Sequence, residues 1–458
     1  MNAGMPLEAD PVRPEVVPPG PWLFPVPQEY PLDNGIRLLV HDLPGQYVMS
    51  VRVAVPHRMA TEPRDLEGIS QLRTRLLDEG TDSHDPEALA ELLERQGIGI
   101  GLGASEGAIG LDVDVPKRFL PAALDLAREI LSEPAFPEPE VRRALATRLA
   151  EIEQERASAA HRGLREVAAT YYDASERASR PVGGTPETVS AITRDDLVAH
   201  HRRSVGPQGA TVVVAGDLTD LDVPALVGDT LGRWANPGHE PSAPFTPARA
   251  AADRVRVVVV DRPGSVQSEL AVAGPGPDRH LDDDRGWAPY PVAAYVLGGS
   301  PNARIDAVLR EEKGYTYGIR AGYRPRRAGG MFLVTGSVRS EVTVESIGLL
   351  LGILDEARSG LGEEEVQAGV DFISRTAPGR FATADQVADE SLMLAMDRLP
   401  VTFTSDNLTR LSALTSADVT AAYQRFAGEG WTVVIVGDAA AWVSDLRANG
   451  YEVTVVAS

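Results

Sequence analysis

An α+β fold in two homologous halves, each a mostly antiparallel sheet covered by helices, follows from three features of the sequence. The first is an internal repeat. "AITRDDLVAHHRRSVGPQGATVVVAGDL", from Ala191, and "ALTSADVTAAYQRFAGEGWTVVIVGDA", from Ala413, share one plan: Thr-x-x-Asp, an amphipathic helix, a glycine-bearing turn, a β-branched run and Gly-Asp. Helix–strand pairs recur by chance, but order, spacing and the closing Gly-Asp all agree, so duplication is the better account. The second is element order: each half opens with strands, carries long helices in its middle and closes on a strand. The third is "ANPGHEPSAPFTPARAAADR", residues 235 to 254, which has the Pro/Ala composition of a linker.

Along the chain, residues 1–27 are rich in proline and acid and predict a loose arm, held at its end by Trp22, Leu23 and Phe24. The first half, 28–234, opens with the strand "GIRLLVHD" near residue 35. "GIGIGLG", Gly97 to Gly103, alternates strictly, which fits a strand; it lacks G-x-G-x-x-G and is no phosphate loop. Its bare glycine face would let another backbone approach. Residues 116 to 160 and 341 to 375 are helical by periodicity. Thr193 and Thr415 are expected N-caps, with Asp196 and Asp418 in the first turn, close to a capping box. Val212 to Val214 and Val433 to Val436 read as buried strands. The second half, 255–458, opens with "RVRVVVVDRPG". "LGGS", Leu297 to Ser300, predicts a strand-to-helix turn, with Ser300 or Asn302 near the helix start. In "SPNARIDAVLREEKGYTYGIRAGY", Ile305, Val308 and Leu309 take helical spacing, Gly314 suits the position just past the helix end, and an alternating strand follows from Tyr315. "GYRPRRAGG" puts Arg324, Arg326 and Arg327 on a hairpin loop; a solvated turn is expected, the alternative being contact with an acidic peptide or a partner.

Length and composition bound the function. The chain has 458 residues, enough for about two to three domains. With 66 acidic and 44 basic residues it carries a net charge of -22. The acid is spread along the chain, a surface that repels phosphate backbones and anionic lipid, so neither nucleic acid nor membrane is an expected partner. There is no cysteine, which excludes disulfides and thiolate zinc sites. The N-terminus has no basic start leading into an apolar run, and no stretch of about 18 apolar residues occurs. The expectation is a chain without signal peptide or membrane span, resident in the cytoplasm.

The ordered set "LDNGIRLLV", "GIS...LLDEGT", "PVGGTPETVSAITRDDL", "VVVAGD", "DRPGSVQSEL", "LGGSPNARIDAVLREEKGYTYG" and "VVIVGD" resembles the pitrilysin-type, or M16, metallopeptidases over nearly all of residues 28 to 440. The likeness is to the bacterial two-chain kind related to mitochondrial processing peptidase. The resemblance implies a processing-peptidase-like metallohydrolase fold. It also implies that the first frame should hold His-x-x-Glu-His, two zinc ligands and a glutamate that activates water, with a third ligand, a glutamate, on a later helix. Two imidazoles one helical turn apart share a face, a carboxylate completes the tripod, and the open position holds water.

This sequence departs at each ligand position. Gln71 stands for the first histidine, Thr74 for the glutamate and Arg75 for the second histidine; Glu151 in "RLAEIEQER" corresponds to the third ligand. Arg73 and Arg75 would repel a cation. The eight histidines (His41, His57, His84, His161, His200, His201, His239 and His280) form no zinc motif. His200 and His201 point to different helix faces, and a surface position is expected for them. No metal is expected in this chain.

The second-half motif stands intact. The family resemblance assigns Arg310 and Tyr317 to gripping substrate near the scissile carbonyl, Arg310 by charge-assisted hydrogen bonds and Tyr317 as a neutral donor. From the bare residues alone, Arg310 would pair with a neighbouring glutamate and Tyr317 would be core; the motif favours the binding role. Tyr315 is a rival on the same strand face. The expected function is a noncatalytic, substrate-binding subunit of a heterodimeric zinc endopeptidase. It would supply Arg310 and Tyr317 in trans to a partner that carries His-x-x-Glu-His and the zinc, acting on a peptide or small unfolded polypeptide. The alternative is a structural pseudopeptidase with no part in proteolysis. A homodimeric peptidase with a remodelled metal site fails unless Glu151 finds two further ligands.

Overall fold

Val212–Val214 and Val433–Val436, the runs picked out by the repeat, lie inside two six-stranded sheets. The computed structural model describes residues 22–241, 255–281, 283–326, 330–428 and 430–457. Most of the arm, residues 242–254 of the linker and Arg327 lie outside the described residues. The first sheet contains β1 (Gln28–Pro31), β2 (Arg37–Asp42), β3 (Val48–Pro56), β4 (Gly99–Ala104), β5 (Ala108–Pro116) and β6 (Thr211–Gly216), in the order β1-β2-β6-β3-β5-β4. The second contains β7 (Arg256–Asp261), β8 (Gln267–Gly276), β9 (Ile319–Arg324), β10 (Gly330–Arg339), β11 (Thr432–Gly437) and β12 (Glu452–Ala457), in the order β12-β7-β11-β8-β10-β9. Apart from the first strand of each order, the two read alike, strand for strand. β2 runs parallel to β6 and β7 parallel to β11, with Leu38 opposite Val212 and Val258 opposite Val434. β12 also runs parallel to β7, and the remaining pairs are antiparallel. Both sheets are therefore mixed and mostly antiparallel.

Each β-branched run is buried on both faces, which is why it shows no polar alternation. On one face of the first sheet Val212 and Val214 pack with Leu38, Val51 and the helices of their own half. On the other face Val213 and Ala215 meet Ala384, Ala388 and Leu392 from the second-half helix Ala384–Met396. The second sheet mirrors this. Val433 and Ile435 face their own half, while Val434 and Val436 meet Val167, Tyr171 and Tyr172 on and beside the first-half helix Ala159–Tyr171. Each half thus lends one helix to the other's sheet. Ionic contacts tie the exchange together: Arg52 Nε donates to Asp389 Oδ1 at 2.6 Å, and Arg326 pairs with Glu106.

Local signals account for the helix limits. Thr193 and Thr415 cap their helices as expected: Asp196 N and Asp418 N donate to the threonine hydroxyls, and the carboxylates accept from the threonine N–H groups at 3.0 and 2.9 Å. The helical span from residue 116 breaks into Leu120–Ser132 and Glu138–Ala157, because Pro134 and Pro137 flank the interruption. Trp22 stacks on Phe381 at 5.6 Å and Phe24 is buried, whereas Leu23 is exposed and anchors nothing.

Three local expectations change. "LGGS" is not a strand-to-helix turn: Tyr295–Gly299 is a π-helical turn ending the helix that begins at Pro289. The strand expected from Tyr315 starts only at Ile319, so Tyr315 and Tyr317 share no strand face. Gly318 N donates to Thr316 Oγ1 at 3.0 Å, a local turn that competes with the ladder. Arg326 is not solvated; besides Glu106 it stacks on the Tyr172 ring at 4.7 Å.

Candidate functional site

The short helix Ile69–Arg75 carries the positions where the metal motif was expected. Gly68 opens it with φ +102, and a Cβ there would sit 2.8 Å from the Gly183 carbonyl carbon and oxygen. A Cβ on Gly184 would in turn collide with Glu67 O. The "GIS" and "PVGG" stretches are therefore two backbones in close apposition, which glycine alone permits. The helix N-terminus is held by a distant carboxylate: Glu62 Oε1 accepts from Ser70 N at 2.9 Å, and Glu62 is itself gripped by Arg177 at 2.9 Å.

Thr74 and Arg75 each have a protein partner, and Gln71 packs against backbone. Thr74 is buried and donates to Ser70 O at 2.8 Å. Gln71 lies against Gly183, and its Oε1 is buried with no hydrogen-bond partner among the described residues. Arg75 Nη1 lies 2.9 Å from Glu151 Oε1. Buried Arg148 also reaches Glu151 at 3.1 Å, and it takes Glu155 at 2.7 Å and the Gly183 carbonyl at 3.0 Å. Partial burial works to raise the Glu151 pKa, but the hydrogen bonds from Arg75 and Arg148 outweigh it and hold the carboxyl below its usual range.

This donor set does not fit zinc. One position is a guanidinium, which has no acceptor, one is an amide, and the carboxylate is already neutralised by two arginines. Arg75 supplies beside Glu151 the positive charge that a metal would bring. Among the described residues no group of three His, Asp or Glu side chains could hold a metal ion.

Behind the helix lies a polar cluster that the sequence reading missed. His200 and His201 do point to different faces, but neither is on the surface. His57 Nε2 and His200 Nε2 both meet Ser70 Oγ, at 2.7 and 3.1 Å, and their rings pack edge to face at 5.3 Å. His201 packs against Phe136 at 5.6 Å. Burial, with Arg73 beside them, pushes His57 and His201 down to about 3 and His200 to about 2. Arg73 is fully buried and bonded to Ser204; burial lowers it to about 9, with Glu62 opposing. The triplet Ser70, His57 and His200 serves packing: the imidazoles are enclosed and spend their accessible nitrogens on one hydroxyl. The missed signal was the helix register. His200 and His201 lie three and four residues beyond Leu197, the inward position of their helix.

Arg310 and Tyr317 belong to the second half. Arg310 rides on the π-helical turn Ala307–Glu312, a rare winding frequent at functional sites. It is half-exposed, and its Nε lies 3.5 Å from Glu311. Gly314, with φ +62, ends the turn as expected. Tyr317 is 94% exposed, so it is not core. Tyr315, the rival, is engaged: its hydroxyl donates to Glu345 at 2.8 Å.

Two family models match the chain: "Insulinase (Peptidase family M16)" over residues 38–182 and "Peptidase M16 inactive domain" over residues 191–371. An uncharacterized zinc protease of Streptomyces coelicolor is 23% identical, covering 74% of each chain. One of Mycobacterium tuberculosis is 24% identical over 75% of this chain and 84% of its own. A "non-peptidase homolog" of Helicobacter pylori is 20% identical over 77% and 80%. The fold matches a peptidase M16 inactive domain from Pseudomonas fluorescens (TM-score 0.81, 21% identity, 90% of this chain and 97% of that one). It also matches a protease from Helicobacter pylori (TM-score 0.82, 15% identity, 90% and 100%). No helix among the described residues is long and apolar enough to cross a membrane.

Proposed function

The chain belongs to the M16 peptidase family, and from that premise we propose that it is a noncatalytic, substrate-binding subunit of a heterodimeric zinc endopeptidase. The observation that carries this reading is the ion pair between Arg75 and Glu151, a guanidinium where a zinc ligand would be needed. The partner is a chain of similar size with His-x-x-Glu-His, and it brings the zinc. Zinc would polarise the scissile carbonyl and activate water there. This chain contributes Arg310 and Tyr317. The guanidinium donates charge-assisted hydrogen bonds to a peptide carbonyl and the phenol adds a neutral donor. Two facts support that role: Tyr317 is almost wholly exposed, and the contact of Arg310 with Glu311 is long enough to be exchanged for substrate.

The test uses the complex with the zinc-bearing homologue. Arg310→Ala should lower kcat/KM by about 100-fold, the loss of one charged donor to a developing oxyanion, and Tyr317→Phe should lower it less. Unchanged kcat/KM in both variants would replace this reading with the scaffold reading.

A further inference from the structure

A cavity of about 470 Å³ opens beside Gln71 and Arg148, between the helices Glu138–Ala157 and Ala159–Tyr171 and strand β10 of the second half. Its wall has the opposite sign to the chain. Arg148, Arg156, Arg162, Arg165, Arg180 and Arg326 line it, against two carboxylates, Glu106 and Glu155. Ile152, Val167, Met331 and Leu333 give it an apolar floor.

Five of the six arginines are matched within the chain. Arg148 takes Glu155 at 2.7 Å, Arg180 takes Glu67 at 2.8 Å, Arg156 takes Glu153 and Arg162 takes Glu166, both at 3.0 Å, and Arg326 takes Glu106. Among the described residues Arg165 has no carboxylate within ion-pair distance. Arg165 is exposed at the cavity wall; partial desolvation, then the guanidiniums of Arg162 and Arg156, lower its pKa, with Glu166 and Glu155 opposing. We propose that this cavity binds an acidic peptide segment, with Arg165 pairing a carboxylate side chain and the apolar floor taking an adjacent aliphatic residue.

The geometry suits that ligand. A guanidinium fork matches a planar carboxylate in two parallel hydrogen bonds. The repulsion expected from a net charge of -22 is screened beyond about 8 Å at physiological salt, so inside the cavity the unmatched Arg165 decides the sign. This inference deepens the substrate-binding reading and rests on it only in taking the anion to be part of a peptide; inorganic phosphate offers similar chemistry.

The experiment is fluorescence polarisation with the full chain alone, using labelled peptides of alternating Glu and Leu or alternating Lys and Leu. The Glu–Leu peptide should bind about tenfold or more tighter, a difference near 1.4 kcal/mol. Arg165→Glu should remove that preference and Arg165→Lys should keep its sign but weaken it, both retaining the native circular dichroism. Equal binding of the two peptides, no binding of either, or Glu–Leu binding that ignores Arg165→Glu would overturn the proposal. So would displacement of the peptide by inorganic phosphate at the peptide's own concentration, which would make the cavity a simple anion site. No partner is present in this assay. A failure of Arg310→Ala to affect the mixed peptidase would therefore sink the subunit reading while leaving Arg165-dependent binding standing.

Discussion

At the scale of single residues, the decisive contact is the ion pair of Arg75 with Glu151, at positions where the family resemblance implies zinc ligands. Arg75 sits one helical turn from Gln71, on the same face, and Glu151 faces it from the helix Glu138–Ala157. If the scaffold of the metal site persists, restoring the donors should restore binding. The triple variant Gln71→His, Thr74→Glu, Arg75→His should bind one zinc by isothermal titration, Glu151 losing Arg75 and keeping only the longer contact with Arg148, which Glu155 also holds; a triple variant that folds and binds none contradicts the account. A second prediction concerns pH. His41, His57, His200 and His201 are held neutral, His41 at about 4 by burial alone and the others at about 2 to 3 by burial and Arg73. Their folded values lie below the unfolded value of about 6.5, so the unfolded chain takes up protons first as pH falls. Stability from this source is complete above pH about 6.5 and is lost as pH drops towards about 3. By pH 5 the loss should be on the order of 1–2 kcal/mol per histidine, seen as a falling urea midpoint. A midpoint unchanged between pH 7 and 5 would contradict it. That Gln71, Thr74 and Arg75 do not spell the expected metal motif was legible in the sequence. The burial of His200 and His201 was not, because it depends on Ser70 and Phe136, which lie far away in the chain.

At the scale of elements, the repeat and its caps were readable because Thr-x-x-Asp and a β-branched run are local signals. Strand β9 was mislocated because its start is fixed from outside: buried Asp306 accepts from Ile319 N at 2.8 Å and pairs with Arg320 at 2.7 Å. Arg326 was misjudged for the same reason, its partners Glu106 and Tyr172 lying in the other half. The entry to the helix Ile69–Arg75 gives the element-scale prediction. Gly68→Ala forces a side chain into left-handed backbone and against Gly183. It should lower stability by about 2 kcal/mol or more and reduce the melting temperature; an unchanged melting temperature would contradict the close apposition.

At the scale of the whole molecule, two homologous halves were legible, but their exchange of helices was not. Periodicity gives the apolar face of the helix Ala384–Met396 without saying which sheet it covers. Because each sheet depends on the other half for one face, the chain should unfold in a single transition, with far-ultraviolet circular dichroism and tryptophan fluorescence coinciding. Two separated transitions would mean the halves are independent. Arg310 and Tyr317 are both exposed on the second half, Tyr317 almost wholly. The most direct test is peptide hydrolysis by this chain alone, by an intact His-x-x-Glu-His homologue alone, and by the two mixed. The account predicts activity in the mixture only, lowered about 100-fold by Arg310→Ala. Hydrolysis by this chain alone with bound zinc, or by the homologue regardless of this chain, would contradict it.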